Sequence, residues 1–485
     1  MIVGRRLGEA ATFVYHSGMT EPAYLRCIRP SCGATYELAA RIYECQRCGN
    51  LLDVTYDWEQ VKPPKALSFF QERWAKRDRA IDHSGVWRFR ELLPFARPEE
   101  LVTVREGQTL LQAVDAEPLG IGLQAGRLHL QYEGMNPSGS FKDNGMAAAF
   151  TMARKLGCGR VGCASTGNTS ASMALYAAKT KLGNGRLMQA IVFIGAGKIA
   201  YGKLAQALDY GALTLQVAGD FDACMKRIRE ATDRLGLYLM NSVNPFRLEG
   251  QKTIMYRVLE GLGWEPPDWI FVPGGNLGNS SAFGKAYLEL KELGLVKRVP
   301  RICVVNATGA NTLWELYNRR NLRWNNGEWE RPVADAKYAE MDAQGIKAKT
   351  IASAIEIARP VNLSKEMRTL DVMNGIVVQV TDEEILEEKA LIGKYGYGCE
   401  PASAASLAGL RQCLEQGIVD HDARVVCILT GHPLKDPDAT VRYHTGLEPP
   451  TVPPTKRDPW GKHANRPIPV ADDLDAICKV IEEHA

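Results

Sequence analysis

Short apolar runs rich in β-branched residues recur along the chain, and each gives way within a few residues to a stretch with helical spacing. The run from Arg160 to Ala164 predicts a strand feeding a helix over Ser170 to Thr180. Gln189 to Ile194 predicts a second strand, ahead of a helix around Lys203 to Asp209, and Gly211 to Val217 a third, ahead of a helix from Phe221 to Leu235. A second series follows in Trp269 to Val272, Arg301 to Val305 and Arg424 to Leu429, continuous apolar runs of the kind buried on both faces. Such alternation predicts parallel, doubly wound sheets, two of them here, with a site between. Pro449, Pro450, Pro453, Pro454 and Pro459 predict an extended strap over 449–468, followed by a terminal helix from Ala471 to Glu483.

At 485 residues, 45% of them apolar, the chain exceeds what a single core holds. The expected division is an amino-terminal segment over 1–60, a large domain from 61–140 and 245–448, a small α/β domain over 141–244, and the strap and helix over 449–485. With 59 basic and 56 acidic residues the formal charge is +3, so bulk electrostatics call for neither nucleic acid nor an anionic membrane. Met1 to Thr20 lacks the apolar centre of a signal peptide, and no apolar run approaches the length of a membrane span; a cytoplasmic protein is the expectation.

Most of the 12 cysteines are scattered singly, as buried reduced thiols are. The exception is the group Cys27, Cys32, Cys45 and Cys48, where Gly33 and Gly49 each follow the second cysteine of a pair. Two such knuckles resemble a zinc ribbon, although the first pair is spaced by four residues instead of two. The four thiolates either enclose one structural zinc or stand as inert thiols in a metal-free remnant. Four cysteines leave no open coordination position, so either alternative is structural.

The chemistry concentrates in loops. Lys142 stands in Asn136-Pro137-Ser138-Gly139-Ser140-Phe141-Lys142-Asp143, bracketed by small residues and turn formers just ahead of a helical stretch. Gly274, Gly275 and Gly278 lie between a predicted strand and a helix beginning near Ser280, a geometry that presents main-chain N–H groups to a phosphate. The spacing matches neither a dinucleotide fingerprint nor a Walker loop. Ser165, Thr166, Asn168 and Thr169 occupy another strand-to-helix junction, where hydroxyls and free N–H groups suit a carboxylate. Thr430 closes the last buried strand.

In this order these four segments resemble the fold-type II family of pyridoxal phosphate enzymes. Residues from about 100 to 440 are similar to the threonine synthase family within it. The discriminating stretches are Asn241 to Thr253, Thr350 to Ile355, Glu400 to Ser406 and Gly431 to Pro437. The resemblance implies an α/β fold with two doubly wound parallel-sheet domains preceded by a small zinc-ribbon-like segment, and it implies a homodimer. It makes Lys142 the residue that attaches the cofactor and shuttles protons. Phe141 then lies near the ring, Asn168 at its phenolic oxygen, and Thr430 at its pyridine nitrogen. Gly274, Gly275, Asn276, Leu277, Gly278 and Asn279 cradle the cofactor phosphate. Ser165, Thr166 and Thr169 take the substrate carboxylate, while Asn241, Ser242 and Arg247 take the substrate phosphate.

The implied reaction turns O-phosphohomoserine and water into threonine and phosphate. The alternative is a relative that carries out β-replacement on O-phosphoserine, such as cysteate synthesis. Two positions depart from the family pattern: Pro433 stands where glycine is usual in Gly-His-x-Leu-Lys-Asp, and Ala358-Arg359 stand where Gly-Asn or Gly-Asp is common. A stiffer loop beside Thr430 and an added cation near the substrate entrance are the expected effects.

Overall fold

The computed structural model describes residues 22–76, 78–195, 201–218, 227–228, 230–232, 234–446 and 462–484. Met1 to Thr20, most of the helix expected from Phe221 to Leu235, and the named prolines of the strap lie outside the described residues. Within them the strands form three sheets. The first is a small antiparallel sheet of β1 (Ala23–Cys27), β2 (Thr35–Glu37) and β3 (Leu52–Tyr56), in the order β2-β1-β3.

The large sheet begins with β4 (Leu111–Val114) and β5 (Leu128–Tyr132). The chain then leaves it to build a four-stranded parallel sheet from β6 (Arg160–Ala164), β7 (Gln189–Gly195), β8 (Leu213–Val217) and β9 (Tyr238–Leu239), in the order β8-β7-β6-β9. It returns with β10 (Trp269–Pro273), β11 (Arg301–Ala307), β12 (Ile376–Val380) and β13 (Val425–Leu429), giving the order β12-β11-β10-β13-β5-β4. Five of these six strands are parallel; β4 alone pairs antiparallel, with β5. This departs from the all-parallel expectation for a topological reason: no helix connects β4 to β5, and a strand that returns directly can only run the opposite way.

Period-two alternation explains why the large sheet reads as unbroken apolar sequence. Ile270, Val272, Ile302, Val304, Val426 and Ile428 enter one core, which also takes in the small sheets. Phe271, Cys303, Val305, Val425, Cys427 and Leu429 enter the core on the opposite face. Both faces are covered, so neither needs polar residues.

Six helices position the site: α1 (Lys142–Lys155), α2 (Asn168–Lys179), α3 (Pro245–Gly261), α4 (Gly278–Glu292), α5 (Leu363–Val372) and α6 (Pro401–Glu415). The crossing of α1 over α3 sets the distance between the two parts of the chain. A Cβ on Gly250 would lie 1.8 Å from the Asn144 carbonyl oxygen, and one on Gly145 would lie 2.9 Å from that of Arg247. Glycine is required at Gly250 by close approach, since any side chain would push the helices apart. The terminal helix runs over Leu474–Glu483, later than the sequence predicts, because the Asp473 side chain caps it by accepting from the Ala476 N–H. No helix among the described residues is long and apolar enough to cross a membrane.

Candidate active site

Lys142 opens α1, and the loop before it is stitched to the loop after β13. Phe141 N–H donates to the Thr430 carbonyl at 2.9 Å, His432 N–H donates to the Gly139 carbonyl at 2.9 Å, and Ser140 bridges Gly431. From the other side Asp143 accepts from Ser138 N–H at 2.7 Å and from the Ser172 hydroxyl at 2.5 Å. These contacts fix the start of α1 while leaving the Lys142 side chain partly accessible, its Nζ 4.0 Å from the centre of the Phe141 ring. Burial, and then the nearby Arg247 guanidinium, bring the Lys142 ammonium down to a pKa of about 7, with Glu400 acting in the opposite sense. An amine that ionises near neutrality can act both as nucleophile and as proton carrier.

Five loops meet around this amine, each at the carboxyl end of a parallel strand, where open α/β sheets place their ligands. After β10, Gly274 and Gly275 leave no room for a side chain: a Cβ on the first would lie 2.6 Å from Val304 Cγ1, and on the second 2.9 Å from Ile355 Cα. Leu277 then takes a left-handed φ of 62°, strain that a leucine tolerates only when its surroundings impose it. The first N–H groups of α4 have no side-chain cap, and α4 starts at Gly278, earlier than the sequence predicts. Asn276 supports the loop by accepting from Asn362 Nδ2 and from Val361 N–H.

After β6, Ser165 accepts from Gly167 N–H at 3.2 Å, and Thr166 is exposed ahead of Asn168 and Thr169, which begin α2. After β9, the Asn241 carboxamide ties down the end of β6, accepting from Ala164 N–H at 3.1 Å and donating to its carbonyl at 3.2 Å. Ser242 offers its carbonyl to Asn362 Nδ2 at 3.1 Å. Arg247, only 1% exposed, donates from Nη1 to the Met240 carbonyl at 3.0 Å, and its burial lowers the pKa to about 10. In the orientation that satisfies both its ends, the Gln251 carboxamide accepts from Arg247 Nη2 at 3.3 Å and donates to the Gly278 carbonyl at 3.2 Å. It thereby joins the arginine to the glycine turn.

Glu400, at the start of α6, carries a motif position to which the sequence reading gave no role. Only 4% exposed, it accepts from Asn168 Nδ2 at 2.9 Å and from Thr430 Oγ1 at 3.0 Å, so two residues expected at opposite edges of one ring share its carboxylate. Burial raises its pKa, and these donors, with Lys142, pull it back. Ser403, 3.0 Å from Thr430 Oγ1, fixes the rotamer of that hydroxyl. A glutamate directly before Pro401 was the available signal. Asn362 had a signal within reach, since it follows the family-pattern pair Ala358-Arg359 by three residues.

The two departures from the family pattern resolve differently. Pro433 begins a short 3-10 turn, where its missing N–H costs nothing, and His432 Nδ1 caps that turn at Leu434 N–H. Arg359 is exposed and pairs with Asp342 over the Tyr338 ring, so its charge is answered locally.

The residues present fit pyridoxal phosphate. The glycines at 274 and 275 let the turn lie close against Val304 and Ile355, leaving its main chain bare of side chains, and the Arg247 Nε, both Asn279 amide atoms and the Ser138 and Ser140 hydroxyls are buried without a hydrogen-bond partner among the described residues. At the other end of the chain the ribbon thiols also converge: all four sulfurs lie within 4.8 Å of one another, with Cys27 to Cys48 at 3.4 Å and Cys32 to Cys45 at 3.7 Å. Zinc–sulfur bonds of about 2.3 Å in a tetrahedron require sulfurs about 3.8 Å apart, so the donor set suits zinc.

Comparison with known proteins agrees with the geometry. Residues 102–431 match the family model described as pyridoxal-phosphate dependent enzyme. Threonine synthase from Methanocaldococcus jannaschii is 42% identical over 418 residues, spanning 86% of this chain and 94% of that protein. Threonine synthase from Methanosarcina acetivorans is 39% identical, spanning 88% of this chain and 95% of that protein. The crystal structure of threonine synthase from Escherichia coli shares the fold, with a TM-score of 0.58 at 19% identity over 95% of this chain and all of that one. The chain belongs to the pyridoxal-phosphate-dependent enzyme family, among its threonine synthases.

Proposed function

We propose, from this membership and the geometry of the cleft, that the protein is a lyase converting O-phosphohomoserine and water to threonine and phosphate. One observation carries the choice: Arg247 stands beside the glycine turn, linked to it through Gln251, giving the cleft a second place for a phosphate. A dehydratase or racemase acting on an unphosphorylated amino acid has no use for it.

Bound pyridoxal phosphate supplies the electron sink that acidifies hydrogens on the substrate carbons beside it. The chain supplies the rest. Lys142 Nζ, with its pKa near 7, takes a proton from Cα, moves one at Cβ and returns one to Cα. Arg247 receives the phosphate leaving Cγ; its planar fork binds two oxygens at once, and its burial strengthens the contact. The α2 amino-terminus, with Ser165, Thr166 and Thr169, holds the substrate carboxylate. The turn over 274–279 would hold the cofactor phosphate, and Thr430, whose hydroxyl donates to Glu400, would lie on the side of the ring nitrogen. Asn168, donating to the same carboxylate, would hold the side of the ring that carries the phenolic oxygen.

The protein is cytoplasmic and dimeric on this reading, with zinc in the ribbon. The cysteines among the described residues form no disulfide, which suits a reducing compartment, and a dimer is the habit of the family. Product analysis tests the assignment. Incubation with O-phosphohomoserine yields threonine and phosphate in equal amounts, whereas O-phosphoserine with sulfite yields neither cysteate nor phosphate above background. Absence of threonine, or cysteate formation, removes it.

A further inference from the structure

The ribbon is docked on both flanks of the segment that carries Arg247. On one flank, the Tyr43 hydroxyl accepts from the Leu239 N–H at 2.8 Å, at the last residue of β9, and Arg41 donates to the Leu156 carbonyl at 2.7 Å, where α1 ends. Tyr43 also lies against Tyr238, with ring centres 6.1 Å apart. The next residue along the chain, Met240, provides the carbonyl that Arg247 Nη1 holds.

On the other flank, β3 runs through a buried charge network. Tyr56 donates its hydroxyl proton to Glu249 Oε2 at 2.5 Å, two residues beyond Arg247 on α3. Lys285, on the helix that follows the glycine turn, donates to the Val54 carbonyl at 2.7 Å and pairs with Glu249. Lys365 on α5 donates to the Leu52 carbonyl at 2.7 Å, and Asp53 pairs with Lys365 at 3.0 Å and Arg368 at 2.6 Å. Counted with Lys252 and Glu289, four cations face three carboxylates, and the β3 carbonyls complete their solvation. A network this deep keeps its geometry only while every partner stays in place.

The ribbon is too short to bury a core of its own; its strands pair with one another and pack into the main core, while its four sulfurs converge into a metal-holding set. We propose that Tyr43 and Tyr56 are positioning residues, through which the metal-holding ribbon clamps the stretch from β9 to the first turn of α3 and so sets the affinity of the Arg247 anion site. The inference rests on the assignment of Arg247 to the substrate phosphate, and the experiment separates the two.

Inorganic phosphate is the probe, its binding to the holoenzyme measured by calorimetry. A Tyr43→Phe/Tyr56→Phe double variant removes two hydrogen bonds to the segment and leaves the cysteines untouched; zinc content by elemental analysis stays at one per chain, and phosphate binds about tenfold more weakly. Wild-type holoenzyme stripped of zinc by a chelator weakens by a similar factor, and the double variant, already uncoupled, weakens little further on stripping. Should stripping unfold the protein, the double variant in its zinc-loaded state decides alone. Phosphate affinity unchanged in the double variant, while Arg247→Ala loses binding at least tenfold, overturns the clamp and keeps the anion site. If Arg247→Ala also binds phosphate like the wild type, the anion site itself is misassigned and the clamp falls with it.

Discussion

The amine of Lys142 should react, in the cofactor-free protein, as a group ionising near pH 7. An ordinary lysine ionises at 10.5. At pH 7 about half of the Lys142 side chains are then neutral, roughly a thousandfold more than for an exposed lysine. Desolvation is the larger cause, so it should persist in Arg247→Gln, where the apparent pKa rises only part of the way, while Glu400→Gln removes an opposing charge and lowers it further. The assay is competitive acylation of the apoprotein across pH 5 to about 11, with the peptide containing Lys142 quantified by mass spectrometry against exposed lysines of the same protein. Its rate should reach half-maximum near 7. Linkage gives an independent check: the native state releases its proton at lower pH than the unfolded chain, so between about 7 and 10.5 the unfolded state binds more protons and this group's contribution to stability grows with pH. A Lys142 acylation rate still climbing in parallel with the surface lysines above pH 9 would refute the reasoning.

Gly250→Ala should destabilise by about 3 kcal/mol in urea denaturation, since its Cβ meets the Asn144 carbonyl, and it should cost activity out of proportion by moving Lys142 relative to Arg247. Arg247→Lys keeps the charge but loses the planar fork; kcat/KM for the phosphorylated substrate should fall by roughly 10- to 100-fold, with an unchanged cofactor absorbance showing that the glycine turn is intact. Glu366, buried against Ser280 and Ser281, has its carboxyl raised to about 8 by desolvation. The native state therefore holds a proton that the unfolded chain gives up above its ordinary value of 4.5, and this term weakens as pH rises from about 4.5 to 8. Glu366→Gln should remove that decline, leaving the variant more stable than the wild type at pH 8.5, a comparison made by denaturation at both ends of the range.

Much of this architecture could be read in one dimension. Strands covered on both faces betray themselves as unbroken apolar runs, as Trp269 to Val272 and Arg424 to Leu429 did, because no position has to be polar. Lys142, the glycine turn and the four cysteines stood out because their chemistry needs particular residue types at short spacings. What escaped was set by long-range contact. The place of Ile376–Val380 at the edge of the large sheet depends on the neighbour it meets, although its β-branched run is as clear as those of β10 and β13. Asn362 and Glu400 are polar residues whose partners lie far away in sequence, and Asp53 and Tyr56 look like ordinary strand residues until Lys365 and Glu249 are placed beside them. Asn241, expected at the substrate phosphate, has its carboxamide engaged with Ala164, a pairing that the order of residues does not reveal.

The pairing of Ser140 with Gly431 joins segments almost 300 positions apart, and this bears on how the protein comes to be made. On a ribosome adding about 5–20 residues per second, roughly 15–60 s separate the emergence of the reactive lysine from that of the threonine loop that shapes its pocket. Throughout that interval the half-built pocket lacks the wall that the threonine loop provides. The pocket is thus completed late in synthesis, and any ribosomal product that stops short of this late turn would lack Thr430 however well its earlier portion folds.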